Sequence, residues 1–179
     1  MTNSQSKRNR RSFLKVSALT GGGLLLNFNL LAEVKSSLEE ASVFVRDGIR
    51  LNGYIKIDIN GRITIMSPNP EGGQNIKTSM PLIVAEELDA DWNQVVVEQA
   101  PLDTDNFTRQ FIGGSQAIRM GWESLRAAGA TARYLLVQAA AQTWKVSAQE
   151  IITESSFLFH KPSGKKSHFV EMATLAATL

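Results

Sequence analysis

The 179-residue chain predicts an α+β fold, a β-hairpin and short strands packed with two long helices. Three observations predict it. Residues 54–66 alternate apolar and polar side chains on either side of Asn60-Gly61, the pattern of two paired strands. Ile76, Met80, Ile83, Val84 and Leu88 recur at helical spacing. A longer seam runs through Ile118, Trp122, Leu125, Gly129, Ala132, Leu136 and Ala139. The hydrophobic fraction of 43% suits one ordinary globular core, and no internal repeat interrupts it.

Composition excludes several classes. With no cysteine, the chain holds no disulfide, no thiolate zinc site and no cysteine-bound iron–sulfur cluster. The net charge of +2 is uneven. Lys7, Arg8, Arg10, Arg11 and Lys15 contribute five positive charges with no acid among them, and +2 less these five leaves −3 for the remainder. The basic pI therefore belongs to the N-terminus, and no nucleic-acid partner is expected.

Residues 1–32 read as a leader and 33–45 as a polar linker, with the folded part over 46–179. Arg10-Arg11-Ser12-Phe13-Leu14-Lys15 resembles the twin-arginine export signal, although Asn9 stands where that signal commonly has Ser or Thr. The apolar run from Phe13 to Leu31 is broken by Lys15, by three glycines and by Asn27 and Asn29, too weak a pattern for a membrane span. Leu30-Leu31-Ala32 is a poor cleavage site, so cutting and retention as an anchor both stay open. The expected place is the periplasm or the inner membrane, reached through the twin-arginine machinery, with the cytoplasm as the alternative.

Along the chain, Val43-Phe44-Val45 is a candidate short strand, and Tyr54–Ile59 and Arg62–Met66 form a hairpin. Asn60-Gly61 between them predicts a two-residue type I′ turn. Ser67-Pro68-Asn69-Pro70 is a stiff loop, because each proline fixes its own φ and restrains the residue before it. Gly72-Gly73 removes side-chain bulk ahead of a helix from Lys77 to Leu88, with Pro81 near its start. Unpaired amides at this strand-to-helix corner would suit an oxygen-rich or anionic ligand, the alternative being a plain turn. Val95–Gln99 predicts a strand, and Ala100–Gly114 a long loop without periodicity, a length more often functional than not.

Ser115 is the predicted N-cap of the second helix. The Ala- and Gly-rich seam of that helix calls for close packing, and the surface covering it is expected to lie outside this chain. Arg119, Arg126 and Arg133 recur every seven residues beside the seam. They face either phosphate or solvent, with Glu123 as the local partner in the second case. Ile151–Thr153 and Phe157–His160 read as strands, Lys161–Lys166 as a turn, and Ser167 as the cap of a final helix over 169–179. His160 and His168 lack metal-ligand spacing and read as structural or exposed.

The stretch from Ser67 to Pro101 resembles the start of the molybdenum-cofactor domain of molybdenum hydroxylases, in the branch of isoquinoline 1-oxidoreductase and related aldehyde dehydrogenases. Glu71, Gly73 and Gln74 match its E-x-G-Q-G motif, with Asn75 in place of the second glycine. Thr78, Pro81, Asp91, Trp92, Val95, Val97, Glu98, Ala100 and Pro101 match the family's helix and strand beyond that motif. Phe111-Ile112-Gly113-Gly114-Ser115 resembles a second loop, F-x-G-G-S, and Arg126–Ala130 fits the long helix.

The resemblance implies a fragment of a molybdopterin-binding domain. The family oxidises an aldehyde or an N-heteroaromatic carbon with oxygen from water. Gln74 would be the catalytic donor to an oxygen ligand of molybdenum. Gly72, Gly73, Gly113, Gly114 and Ser115 would join Gln74 in binding the pterin, expected in its cytosine dinucleotide form. No protein ligand to the metal is expected. Iron–sulfur clusters would sit on a separate small subunit, and a c-type cytochrome would accept electrons. Family members are several times longer, and their general base lies beyond residue 179. A non-catalytic remnant or a small exported binding module is the alternative.

Overall fold

A computed structural model describes residues 48–107 and 109–179. The leader, the linker and the candidate strand at 43–45 lie outside the described residues.

The first sheet has four strands in the order β1-β2-β3-β4. They are β1 (Ile49–Arg50), β2 (Ile55–Ile57), β3 (Ile63–Ser67) and β4 (Val95–Gln99). The first two pairings are antiparallel, and β3 pairs parallel with β4, Ile63 facing Val95 and Ser67 facing Gln99. A parallel pair needs a crossover, and helix α1 (Ile76–Leu88) supplies it. All of β3 is buried, so its Thr64 and Ser67 sit in the interior beside Ile63 and Ile65.

The β2–β3 turn differs from the expected type I′. Only Gly61 of the pair takes a positive φ, 84°. The chain runs Asp58-Ile59-Asn60-Gly61 as a longer turn closed by the Gly61 amide on the Asp58 carbonyl (3.0 Å). Asp58 Oδ1 accepts from the Asn60 and Arg62 amides (2.8 and 3.0 Å), and this local bonding draws residues 58–62 out of the strands. The type I′ geometry lies elsewhere, at Ser155-Ser156, with φ of 48° and 68°. Ser156 is fully buried. Its amide donates to Asp89 O (2.9 Å), its hydroxyl accepts from the Asp91 amide (2.8 Å), and its carbonyl accepts from the Phe169 amide (2.9 Å). Three tertiary hydrogen bonds thus hold a conformation that serine alone disfavours.

Pro81 lies inside α1, five residues past its first residue Ile76, and not in the first turn. The helix begins at Ile76, one residue before the predicted Lys77, and the proline within it deprives the Lys77 carbonyl of its usual partner. Asp89 closes α1 in the left-handed region (φ 62°), its amide reaching Ala85 and Glu86 carbonyls.

Helix α2 (Ala117–Trp144) carries the buried seam Leu125, Ala128, Gly129, Ala132, Leu136 and Ala139. Contrary to expectation, the chain covers this seam itself. A Cβ at Gly129 would lie 2.4 Å from the Val84 carbonyl oxygen, so α1 crosses α2 at backbone contact there. Trp122, at the N-terminal end of the seam, remains 43% exposed. Ser115 is not the N-cap of α2; that position is Gln116, with no side-chain cap bond.

A second sheet, β5 (Ile151–Glu154), β6 (Phe157–His160) and β7 (Lys165–His168), is an antiparallel meander. Helix α3 (Phe169–Ala176) comes directly after it. Its cap is His168 and not Ser167. The imidazole Nδ1 accepts from the Val170 amide (3.2 Å), and the Glu171 carboxylate accepts in return from the His168 amide (3.1 Å). His-x-x-Glu thus does what Ser-x-x-Glu does in a capping box, because a neutral ring nitrogen accepts as a hydroxyl does. His160 is buried, between Ser163 Oγ (2.7 Å) and Glu150 Oε2 (3.4 Å).

Candidate cofactor cleft

Two loops converge at the N-terminal ends of α1 and α2. The first, residues 68–75, leaves β3; the second, residues 109–116, enters α2. Asn69 ties them: it is 1% exposed, and its Nδ2 donates to the Phe111 carbonyl (2.9 Å). Arg109 holds the second loop in shape. Its guanidinium stacks on the Phe111 ring at 3.9 Å and donates to Gly113 O (3.1 Å) and Gln116 Oε1 (3.2 Å). The start of the long loop is ordered too. Gln110 bridges it, donating to Pro101 O (2.6 Å) and accepting from the Asp103 amide (2.7 Å), while Phe107 packs edge-on against Tyr54.

Between the loops lies a cleft of about 560 Å³. Gln74, Gly113 and Ser115 line it, with Ile76, Ile112 and Ile118 as an apolar floor. Three of the six predicted site residues therefore share one wall, though they are about forty residues apart in sequence. Gly72 sits against the second loop: a Cβ there would meet Ile112 Cδ1 at 2.9 Å, the end of a side chain that can turn aside. Gly73, at φ 96°, faces open space with no atom within 4 Å of an added Cβ. Gly114 (φ 63°) and Ser115 (φ 51°) both take the left-handed region.

The anion-binding expectation needs a correction. The amides at the start of α1 are already taken. Glu71 Oε1 accepts from Gly73 and Asn75 (2.7 and 3.0 Å), and Oε2 from Lys77 (3.2 Å). The Lys77 amide, then those of Gly73, Asn75 and Gln74, hold the Glu71 carboxyl below its ordinary value, against a smaller opposing desolvation. A second anion at this corner would meet a carboxylate. Sequence reasoning noticed Glu71 only as a motif letter; a carboxylate a few residues before a helix start was the available signal.

Gln74 is also engaged. Its Oε1 accepts from the Gly72 amide (2.6 Å) and its Nε2 donates to Pro70 O (3.1 Å). The side chain is exposed on the cleft wall and not packed into the core.

The α2 end is different. Among the described residues, none hydrogen-bonds the Ser115 hydroxyl, and a 28-residue helix begins two residues later. The cleft thus offers a free hydroxyl, a helix N-terminus, an amide side chain and an apolar floor, in a volume ordinary for a small-molecule site. This donor set fits the polar edge of a pterin. Among the described residues no group of three or more His, Cys, Asp or Glu side chains is placed to hold a metal ion. The three arginines of α2 do not form a row on the cleft. Arg126 pairs with Glu87 of α1 and not with Glu123, and Arg133 lines a separate surface hollow with Asp89 and Tyr134.

Comparison with known proteins agrees with the architecture. Residues 36–179 match the molybdopterin cofactor-binding domain family. The chain is 35% identical over 127 residues to isoquinoline 1-oxidoreductase subunit beta of Brevundimonas diminuta, covering 68% of this chain and 16% of that protein. It is 28% identical over 167 residues to a membrane-bound aldehyde dehydrogenase (pyrroloquinoline-quinone) of Gluconacetobacter polyoxogenes, covering 92% of this chain and 21% of the relative. The fold is shared with quinoline 2-oxidoreductase of Pseudomonas putida 86 (TM-score 0.51, 16% identity, 83% and 22% of the two chains). It is shared as well with reconstituted CO dehydrogenase of Oligotropha carboxidovorans (TM-score 0.54, 18% identity, 93% and 24%). The chain spans about a fifth of the length of these proteins. With the family's domain matched over residues 36–179 and a relative at 35% identity, the chain belongs to the molybdenum hydroxylase family, within its molybdopterin cofactor-binding domain.

Proposed function

We propose that this chain supplies one wall of the cofactor site in the large subunit of a molybdenum hydroxylase acting on an aldehyde or an N-heteroaromatic carbon. The convergence of Gln74, Gly113 and Ser115 on one cleft carries the reading. The relatives named for isoquinoline and aldehyde oxidation support the substrate class. The molybdenum–pterin group, in the cytosine dinucleotide form, supplies the redox chemistry and the transfer of water-derived oxygen. Gln74, on giving up its bond to Pro70, would donate from Nε2 to that group. Ser115 and the first amides of α2 hold its polar edge, and Gly73 leaves room for backbone approach. Ile76, Ile112 and Ile118 exclude water from the floor.

In the same reading an iron–sulfur subunit takes electrons away and passes them to a c-type cytochrome. These 179 residues hold no cysteine to bind such a cluster, and the beta-subunit relative is consistent with a separate iron–sulfur partner. Export by the twin-arginine route rests on residues 10–15.

The test is Gln74→Ala in the full-length enzyme, with molybdenum content and turnover measured on one preparation. Loss of a donor that acts on the reacting group should lower kcat by about a hundredfold while metal content holds. Metal content falling in step with turnover would make Gln74 a binding residue only. Unchanged turnover would remove it from the site.

A further inference from the structure

Among the described residues, two buried side-chain atoms have no hydrogen-bond partner, Asn69 Oδ1 and Arg109 Nε. Both residues line the same small cavity, together with Tyr54, Met80, Ser124 and Leu125. Swept by the centre of a water-sized sphere, its volume is about 10 Å³, room for one water molecule and little else. An orphaned buried polar atom is costly, so two of them on one cavity point to a shared partner.

The chemistry of the two atoms selects that partner. Arg109 Nε–H only donates, and Asn69 Oδ1 only accepts. An anion would satisfy the guanidinium and repel the amide oxygen, and a cation would do the reverse. A neutral molecule that accepts once and donates once satisfies both. The Asn69 amide is not free to flip, because Nδ2 donates to the Phe111 carbonyl, and reversal would set two oxygens against each other.

We infer that a single internal water is bound between Asn69 Oδ1 and Arg109 Nε and completes the clasp between the two loops of the cleft. It accepts from Arg109 and donates to Asn69, with the Ser124 hydroxyl close by as a further acceptor. The clasp then runs without a break from Asn69 through water to Arg109, and on to Gly113 and Gln116. The water is thereby a positioning element for Gly113 and Ser115, whatever ligand the cleft takes.

The first test needs no variant. A high-resolution crystal structure of the 179-residue chain should show a density peak within hydrogen-bonding distance of both atoms. In solution, the Asn69 side-chain amide should give a cross-relaxation peak to a long-lived water. An empty cavity, a direct Asn69–Arg109 contact, or occupation by bromide after soaking would overturn the inference. Asn69→Leu is the second test. It should abolish the density peak in the variant's crystal structure and raise the rate of native-state tryptic cleavage after Arg109 at least about tenfold, since both the water bond and the direct Asn69–Phe111 bond are lost. Retention of the density peak in that variant would also refute it.

Discussion

The spacing of α1 and α2 is set at Gly129, and a single methyl group there tests it. An added Cβ would sit 2.4 Å from the Val84 carbonyl oxygen, 2.8 Å from Glu87 Cβ and 3.1 Å from the Leu88 amide nitrogen. Two of these three atoms are backbone, which no rotamer change can move aside. Restoring ordinary contact at 3.4 Å requires the helices to part by about 1 Å. A gap of that size forfeits roughly a quarter to a half of the dispersion energy along the opened seam. Overpacking of this kind costs about 3 kcal/mol at the upper end of its usual range. Alanine in place of glycine returns about 1 kcal/mol of helix propensity.

The net expectation for Gly129→Ala is a loss of about 2 kcal/mol, or roughly 5–10 °C in Tm for a domain of this size. Gly121, earlier on the same helix, is the control. Its added Cβ would meet Met80 Cε at 3.1 Å and Leu125 Cδ1 at 3.2 Å, both ends of flexible side chains. Gly121→Ala should leave Tm unchanged or raise it by a few degrees. Thermal unfolding monitored by far-UV CD reads both. A Gly129→Ala chain as stable as the parent, or two variants that melt together, would refute the account of helix contact.

The caps give further expected outcomes. His168 must be neutral, since Nδ1 accepts from Val170 while Nε2 donates to Gln94 Oε1 (3.0 Å). Burial lowers its pKa from the ordinary 6.5, against the opposing pull of Glu171. The unfolded chain therefore takes up the proton first. This stability is complete above about pH 6.5 and is lost as pH falls through the lowered folded value; His168→Asn should flatten that part of a urea-midpoint profile. Glu71 behaves likewise at lower pH. Its stabilisation is whole above the ordinary 4.5 and disappears as pH falls through its depressed value. Glu71→Gln should remove that acid-side slope, and titration of the carboxyl by NMR gives the independent check.

How much of the fold and cleft was legible in the sequence depends on the range of the interaction. The strands at 95–99 and 157–160 and the long helix arise from side-chain periodicity, which is local. The motif letters around Gln74 and Gly113 pointed to a shared site. Their convergence depended on Asn69 and Phe111, a pair no spacing rule connects. The turn at Asn60-Gly61 was misread because Asp58 offers its own side chain to the backbone, and Ser155-Ser156 escaped notice because serine reaches the left-handed region only under three tertiary bonds.

Composition and periodicity determined a cysteine-free α+β chain, and the motif letters around Gln74 and Gly113 carried its resemblance to a molybdopterin-binding domain, the family that residues 36–179 match. The tertiary structure decided which donors are open. Glu71 closes the N-terminus of α1 from within, and the start of α2 stays available. An amide's occupancy depends on which carboxylate the folded chain brings to it. Here that carboxylate is local, two to six residues from the amides it takes. The bond that brings this corner beside the open start of α2 instead joins Asn69 to Phe111, 42 residues apart, and sequence separation does not encode it.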